Sequence, residues 1–173
     1  KELKQTVSVA QKSFNKNDVN IGLIGAGSFG QNFLIPAIKN TDAKFTGIVT
    51  ARPNNARNIA DKNGFAFASG NAEEIFSNND INTVFIATRH DTHAEYVLKA
   101  IKNNKNVFVE KPLCMNIDEL NEIKEAHEKT PTQVMVGFNR RFAPFIQQIK
   151  KTFPKFIHAE GSMRCVTVLE KSL

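Results

Sequence analysis

From Val19 onward the chain alternates between apolar runs of strand length and stretches with helical spacing, and this alternation restricts the fold more than any other feature. VNIGLIGAG, KFTGIVT, FAFAS, NTVFIAT, NVFVE and QVMVGF read as strands; GQNFLIPAIKN, NNARNIADKNG, AEEIFSN, THAEYVLKAIKN and NIDELNEIKEAHEK read as the helices between them. Continuous apolar strands separated by single helices require a parallel sheet covered on both faces, wound right-handedly. The expected fold is therefore α/β, a Rossmann doubly wound parallel sheet. Within it, Pro36 predicts a kink or a short first helical section, and Asn63-Gly64 closes the second helix. Thr92 and Glu95 have the spacing of a capping box, followed by Ala94, Val97, Leu98 and Ile101 on one buried stripe.

In such a fold ligands bind at the carboxyl edge of the sheet. GAGSFG spans Gly25 to Gly30 and includes Gly27, Ser28 and Phe29; it is a GxGxxG motif between a strand and a helix. Gly25 permits the tight turn, Gly27 lets main-chain N–H groups approach a pyrophosphate, and Gly30 lets helix pack on strand. An acid is expected at the end of the second strand for the adenosine ribose, but Thr50, Ala51 and Arg52 stand there. Loss of the acid removes repulsion against a 2′-phosphate, which Arg52 or Arg57 can pair with, so the expected cofactor is NAD or NADP with NADP preferred. Both arginines also fit a solvated helix start. TRHDTH follows the fourth strand, placing Thr88 at the ligand edge. His93, in the first helical turn, is either a hydrogen-bonding structural residue or a proton carrier, and His90 is equally undecided. Strand five ends in Glu110, Lys111 and Pro112. A partly buried lysine held there can donate to a substrate oxygen, whereas a surface ion pair is the plainer reading of the same residues.

Composition narrows the partners. Hydrophobic residues make up 41% and charged residues 23%, as in globular proteins rather than disordered ones. No apolar stretch is long enough to span a bilayer, and the N-terminus lacks a signal-peptide core. The net charge of +6 is scattered, without a basic helix or aromatic ladder, so an anionic small molecule is a better partner than nucleic acid or membrane. The two cysteines, Cys114 and Cys165, have no metal-ligand spacing; each reads as a small apolar filler in a reducing cytoplasm. No metal is expected.

The glycine-loop strand, THAEYVLKAIKNNKNVFVEKPL and MVGFNRRFAPF together resemble the glucose–fructose oxidoreductase, inositol dehydrogenase and MocA family over residues 19–145. The resemblance implies an NAD(P)-dependent oxidoreductase that transfers hydride to or from a sugar or polyol. It implies a catalytic Lys111, with Glu110 and Pro112 in its motif and a Lys-Pro bond that is often cis. Phe138, Asn139, Arg140 and Arg141 match the segment facing nicotinamide and substrate, and Arg140 joins the cofactor-binding set. The TRHDTH wording and the polar N-terminal extension also resemble a subgroup fused to an alcohol-dehydrogenase-like domain in bacterial surface-polysaccharide clusters. The expected organisation is a polar extension over 1–18, the NAD(P)-binding domain over 19–139 and the incomplete opening of a second domain over 140–173. The family completes its site with Asp and His from that second domain, and His158 is not taken for that histidine. The lack of an initiator Met and the polar start suit an excerpt of a longer chain, whose activity alone is an open question. Residues 156–169 alternate as a half-buried strand, expected to be disordered, to fold back or to pair with another copy as a homo-oligomer. The rival function is a non-catalytic NAD(P)-binding sensor or regulatory domain.

Overall fold

The computed structural model describes residues 6–10 and 12–152; the strand expected over 156–169, with His158 and Cys165, lies outside the described residues. The strands are β1 (Thr6–Ser8), β2 (Asn20–Ile24), β3 (Lys44–Val49), β4 (Phe67–Ser69), β5 (Thr83–Ile86), β6 (Asn106–Val109) and β7 (Val134–Val136). The helices are α1 (Ile35–Lys39), α2 (Pro53–Asn63), α3 (Glu73–Phe76), α4 (His93–Lys102), α5 (Ile117–Lys129) and α6 (Pro144–Thr152). The sheet order is β1-β4-β3-β2-β5-β6-β7. Strands β2 to β7 pair in parallel, giving the doubly wound Rossmann order with its reversal between β2 and β5.

The sheet differs from the expected one at one edge. Residues Thr6–Ser8, inside the stretch read as a polar extension, pair antiparallel with β4, and Thr6 Oγ1 meets Ser69 Oγ at 2.9 Å. The sheet is therefore mixed. A three-residue strand with one face in solvent carries too little apolar periodicity to be read from the sequence.

Each face of the sheet has its own apolar layer, because successive strand residues point to opposite sides. Val84, Ile86, Val107 and Val109 pack with Ile75, Phe76, Val97, Ile101 and Ile123 from α3, α4 and α5. Ile21, Leu23 and Ile48 pack on the other side with Ile35, Ile38, Ile59 and Phe65. Val97 and Ile101 are wholly buried, and each such side chain contributes about 1.5–3 kcal/mol. The β2–β3 register shifts between Ile21 and Gly22, which oppose Phe45 and Gly47. That bulge at Thr46 puts Phe45 and Ile48, three positions apart, in the same layer.

Helix ends follow local chemistry with one exception. Pro36 lacks the N–H that would bond the carbonyl four residues back, and a π-helical turn over Gly30–Leu34 precedes α1, with Ile35 N–H bonding Gly30 O. Gly64, at φ 78°, ends α2 by donating to Ala60 O at 2.8 Å. The capping box expected from Thr92 and Glu95 is not formed. Thr92 Oγ1 instead donates to Arg89 O at 2.9 Å, while Glu95 pairs with Lys99 at 3.1 Å. A 3₁₀ turn over His90–Thr92 already supplies the helix entry, so the hydroxyl turns backward. A related pair caps α5: Asn116 Oδ1 accepts from Glu119 N at 2.9 Å, and Glu119 Oε2 accepts at 2.7 Å from the N–H of Met115, one residue before the N-cap.

At the amino edge, asparagines tie neighbouring strand starts. Asn20 N donates to Asn82 Oδ1 at 3.0 Å, Asn106 N to Asn82 O at 2.9 Å and Gln133 N to Asn106 Oδ1 at 3.0 Å. Buried Lys105 donates to Asn78 O and Ile81 O, both at 2.7 Å. Fixing the strand starts fixes which residues emerge together at the opposite edge.

Candidate functional site

The loop after β2 sits at the point where strand order reverses. Gly25 has φ 85°, and a Cβ there would lie 2.4 Å from Ala87 O, so only glycine fits. Its N–H donates to Val49 O and Ala87 N–H donates to Ile24 O, both at 2.8 Å, tying the loop to β3 and β5. At Gly27 a Cβ would meet no atom within 4 Å, which leaves the open space a pyrophosphate requires. The Ser28, Phe29 and Gly30 N–H groups find no acceptor among the described residues, as at a helix start built for an anion. Gly27, Ser28 and Gly30 thus fit a dinucleotide. Phe29 stacks on Phe33 at 5.6 Å between ring centroids and is partly exposed. Gln31, which sequence reasoning missed, donates from Nε2 to Ala26 O at 2.8 Å and braces the loop. No periodicity marks such a residue.

After β3, Thr50 is buried and its hydroxyl donates to Arg52 O at 2.7 Å. The same carbonyl accepts from Asn55 N and Ala56 N, so Arg52 is the N-cap of α2 with Pro53 behind it. Ala51 and the Arg52 side chain are exposed. Arg57 pairs with Asp61 at 3.9 Å, whereas Arg52 has no ion pair among the described residues.

After β5 and β6 the structure brings Thr88, His93 and the Glu110–Pro112 segment together. His93, read from the sequence as either a hydrogen-bonding structural residue or a proton carrier, has no exposed surface. Its Nδ1 lies 2.6 Å from Pro112 O and its Nε2 3.3 Å from Thr88 O. Both neighbours are carbonyl oxygens and only accept, so the ring is the donor, and the shorter contact is the one from Nδ1–H to Pro112 O. With both nitrogens facing main-chain oxygens, His93 lies between the Thr88 and Pro112 loops. The Thr88 hydroxyl meets that of Thr92 at 2.7 Å.

The Lys111-Pro112 peptide is cis. Lys111 is exposed rather than partly buried as expected, because it lies past the end of β6. It has no ion pair among the described residues, so the surface-pair reading with Glu110 is not what the structure contains. Glu110 instead lies over Gly137, where a Cβ would be 2.8 Å from its Oε1. That oxygen is buried without a hydrogen-bond partner among the described residues, and burial raises the carboxyl above its ordinary range, opposed by the Lys111 main chain and charge and by His93. Gly137 is a second residue the sequence reading passed over; its role appears only when β6 and β7 are side by side. Beyond β7, Arg140 is exposed in the 3₁₀ turn Asn139–Phe142, and the Arg141 guanidinium lies 4.7 Å from the Phe142 ring centroid.

The edge thus combines a glycine cradle for a dinucleotide with a lysine two strands away. No helix among the described residues is long and apolar enough to cross a membrane. An oxidoreductase of Formosa agariphila is 33% identical over 134 residues, covering 77% of this chain and 42% of that protein. Inositol 2-dehydrogenase of Rhizobium meliloti is 30% identical over 154 residues, covering 89% of this chain and 46% of that protein. A levoglucosan dehydrogenase solved with NADH and levoglucosan superposes with a TM-score of 0.72 at 29% identity, covering 79% of this chain and 39% of that one. The chain therefore spans less than half the length of these relatives. Residues 19–138 match the model of the oxidoreductase family with an NAD-binding Rossmann fold, and the chain belongs to that family, the one of glucose–fructose oxidoreductase, inositol dehydrogenase and MocA.

Proposed function

We propose that this chain is the cofactor-binding part of an NAD(P)-dependent oxidoreductase that interconverts a sugar or polyol hydroxyl and the corresponding carbonyl. The observation that carries the reading is the pairing of an open glycine cradle at Gly27 with an exposed Lys111 on the same sheet edge. When bound, NAD(P) supplies the acceptor or donor of hydride at carbon. The orphan N–H groups at the start of the first helix hold the pyrophosphate. Lys111 gives a proton to the substrate oxygen during reduction, or takes it during oxidation, so proton and hydride move in the same sense. His93 fixes the Pro112 carbonyl relative to Thr88 and so sets where the Lys111 main chain lies. The relatives that act on inositol and levoglucosan support the substrate class. Their greater length supports reading residues 140–173 as the opening of a second domain that completes the site.

The cofactor preference follows from β3. Arg52 stands where an acid is usual, and its charge is unpaired among the described residues, which supports NADP over NAD. Titration of the chain with NADPH and NADH by nucleotide fluorescence tests this. NADPH should bind more tightly and Arg52→Asp should reverse the order. Equal affinities would refute the 2′-phosphate assignment; failure of both nucleotides to bind would refute the function.

A further inference from the structure

Charge at the carboxyl edge is uneven. The dinucleotide's negative groups belong to the β2 loop, where pyrophosphate lies, and to the β3 end, where a 2′-phosphate would meet Arg52. The strands on the other side of the reversal point, β5, β6 and β7, run in register through Ile86, Val109 and Val136. Shortly beyond those residues come Arg89, Lys111 and Arg140. All three are exposed, and none has an ion pair among the described residues. Arg141 adds a fourth cation there, with its Nε buried and lacking an acceptor among the described residues. Opposing them are Asp91 and Glu110, and burial biases the Glu110 carboxyl towards its neutral form.

A nicotinamide ring is neutral when reduced and cationic when oxidised, so this half of the cofactor supplies no negative charge to offset these residues. A neutral polyol would supply none either. We propose that the substrate is an acidic sugar, bearing a carboxylate or phosphate, and that Arg89, just beyond the end of β5, reads its anionic group. This rests on the oxidoreductase reading above. Guanidinium groups suit the task because their planar donors pair bidentately with either oxyanion and remain charged at every working pH. Lys111 is then left for the proton transfer.

The test uses a protein that includes the second domain, saturated with NADPH, and three probes of one ring shape: D-glucose, D-glucuronate and D-glucose 6-phosphate, titrated by NMR chemical shift at low ionic strength. At least one charged probe should bind about ten-fold more tightly than glucose, and which one distinguishes carboxylate from phosphate. Arg89→Gln should remove most of that preference. Lys102→Gln deletes the same charge at the exposed far end of α4 and should leave the preference intact. Equal binding of all three probes, binding of none, or an anion preference that Arg89→Gln does not diminish would overturn the proposal. Loss of NADPH binding in the parent chain would instead refute the oxidoreductase reading.

Discussion

Gly25 and Gly27, two residues apart in one motif, should fail in opposite ways when replaced by alanine. At Gly25 the new methyl would sit 2.4 Å from Ala87 O, 2.6 Å from Ala87 C and 2.9 Å from Thr88 Cγ2. The loop cannot simply move aside, because Gly25 N–H and Ala87 N–H are bonded to β3 and β2 at 2.8 Å. The left-handed conformation at φ 85° costs a non-glycine residue about 1–2 kcal/mol, and forcing a methyl into packed surroundings costs about 1–3 kcal/mol more. The sum, about 2–5 kcal/mol, corresponds to a Tm lower by about 10 °C in a domain of this size. At Gly27 the methyl meets no atom within 4 Å and the backbone is not left-handed, so Gly27→Ala should hold the parent stability to within about 0.5 kcal/mol. Its methyl occupies the space assigned to pyrophosphate, and NADPH affinity should drop by about ten-fold or more. Thermal unfolding by circular dichroism and NADPH fluorescence titration of both variants separate the effects. Parent affinity in Gly27→Ala would show that the dinucleotide does not cross Gly27, and parent Tm in Gly25→Ala would show that the loop is not held as described.

Two more outcomes are expected from the Glu-Lys-Pro segment. In a protein that includes the second domain, Lys111→Ala should lower kcat by about 10²-fold with cofactor affinity little changed, measured by steady-state kinetics beside NADPH titration; near-parent kcat would remove Lys111 from the proton transfer. Burial raises the folded Glu110 pKa above its ordinary value of 4.5, so the folded state binds the proton more readily than the unfolded one. The stability linked to that proton is full below about pH 4.5 and is lost as pH rises through the raised folded value. Glu110→Gln should therefore have a higher Tm than the parent at pH 7 and a flatter dependence from there down to pH 4.5, checked by thermal melts across pH; a parent-like slope would contradict the partly buried carboxyl.

Much of this protein is written in local patterns that act over a few residues. Apolar runs separated by helical stretches leave few arrangements other than a covered parallel sheet, and GAGSFG at a strand end requires a backbone that only glycine follows. Pro36 and Gly64 act through their own φ and N–H, so their effects were legible in the sequence. The antiparallel β1 was not, because an edge strand with half its groups in water has no strong period. Thr92 and Glu95 have capping-box spacing, yet the 3₁₀ turn before α4 drew the hydroxyl to Arg89 O and Lys99 drew the carboxylate away. Spacing names the groups that can meet; competing partners decide which do. The site divides in the same way. The residue types at each strand end were fixed by sequence, whereas the tertiary structure set the neighbours. It buried His93 between Thr88 and Pro112, laid Glu110 over Gly137, and left Lys111 and Arg52 without an ion pair among the described residues. Those contacts join residues from separate strands, and a one-dimensional pattern carries no distance across a sheet.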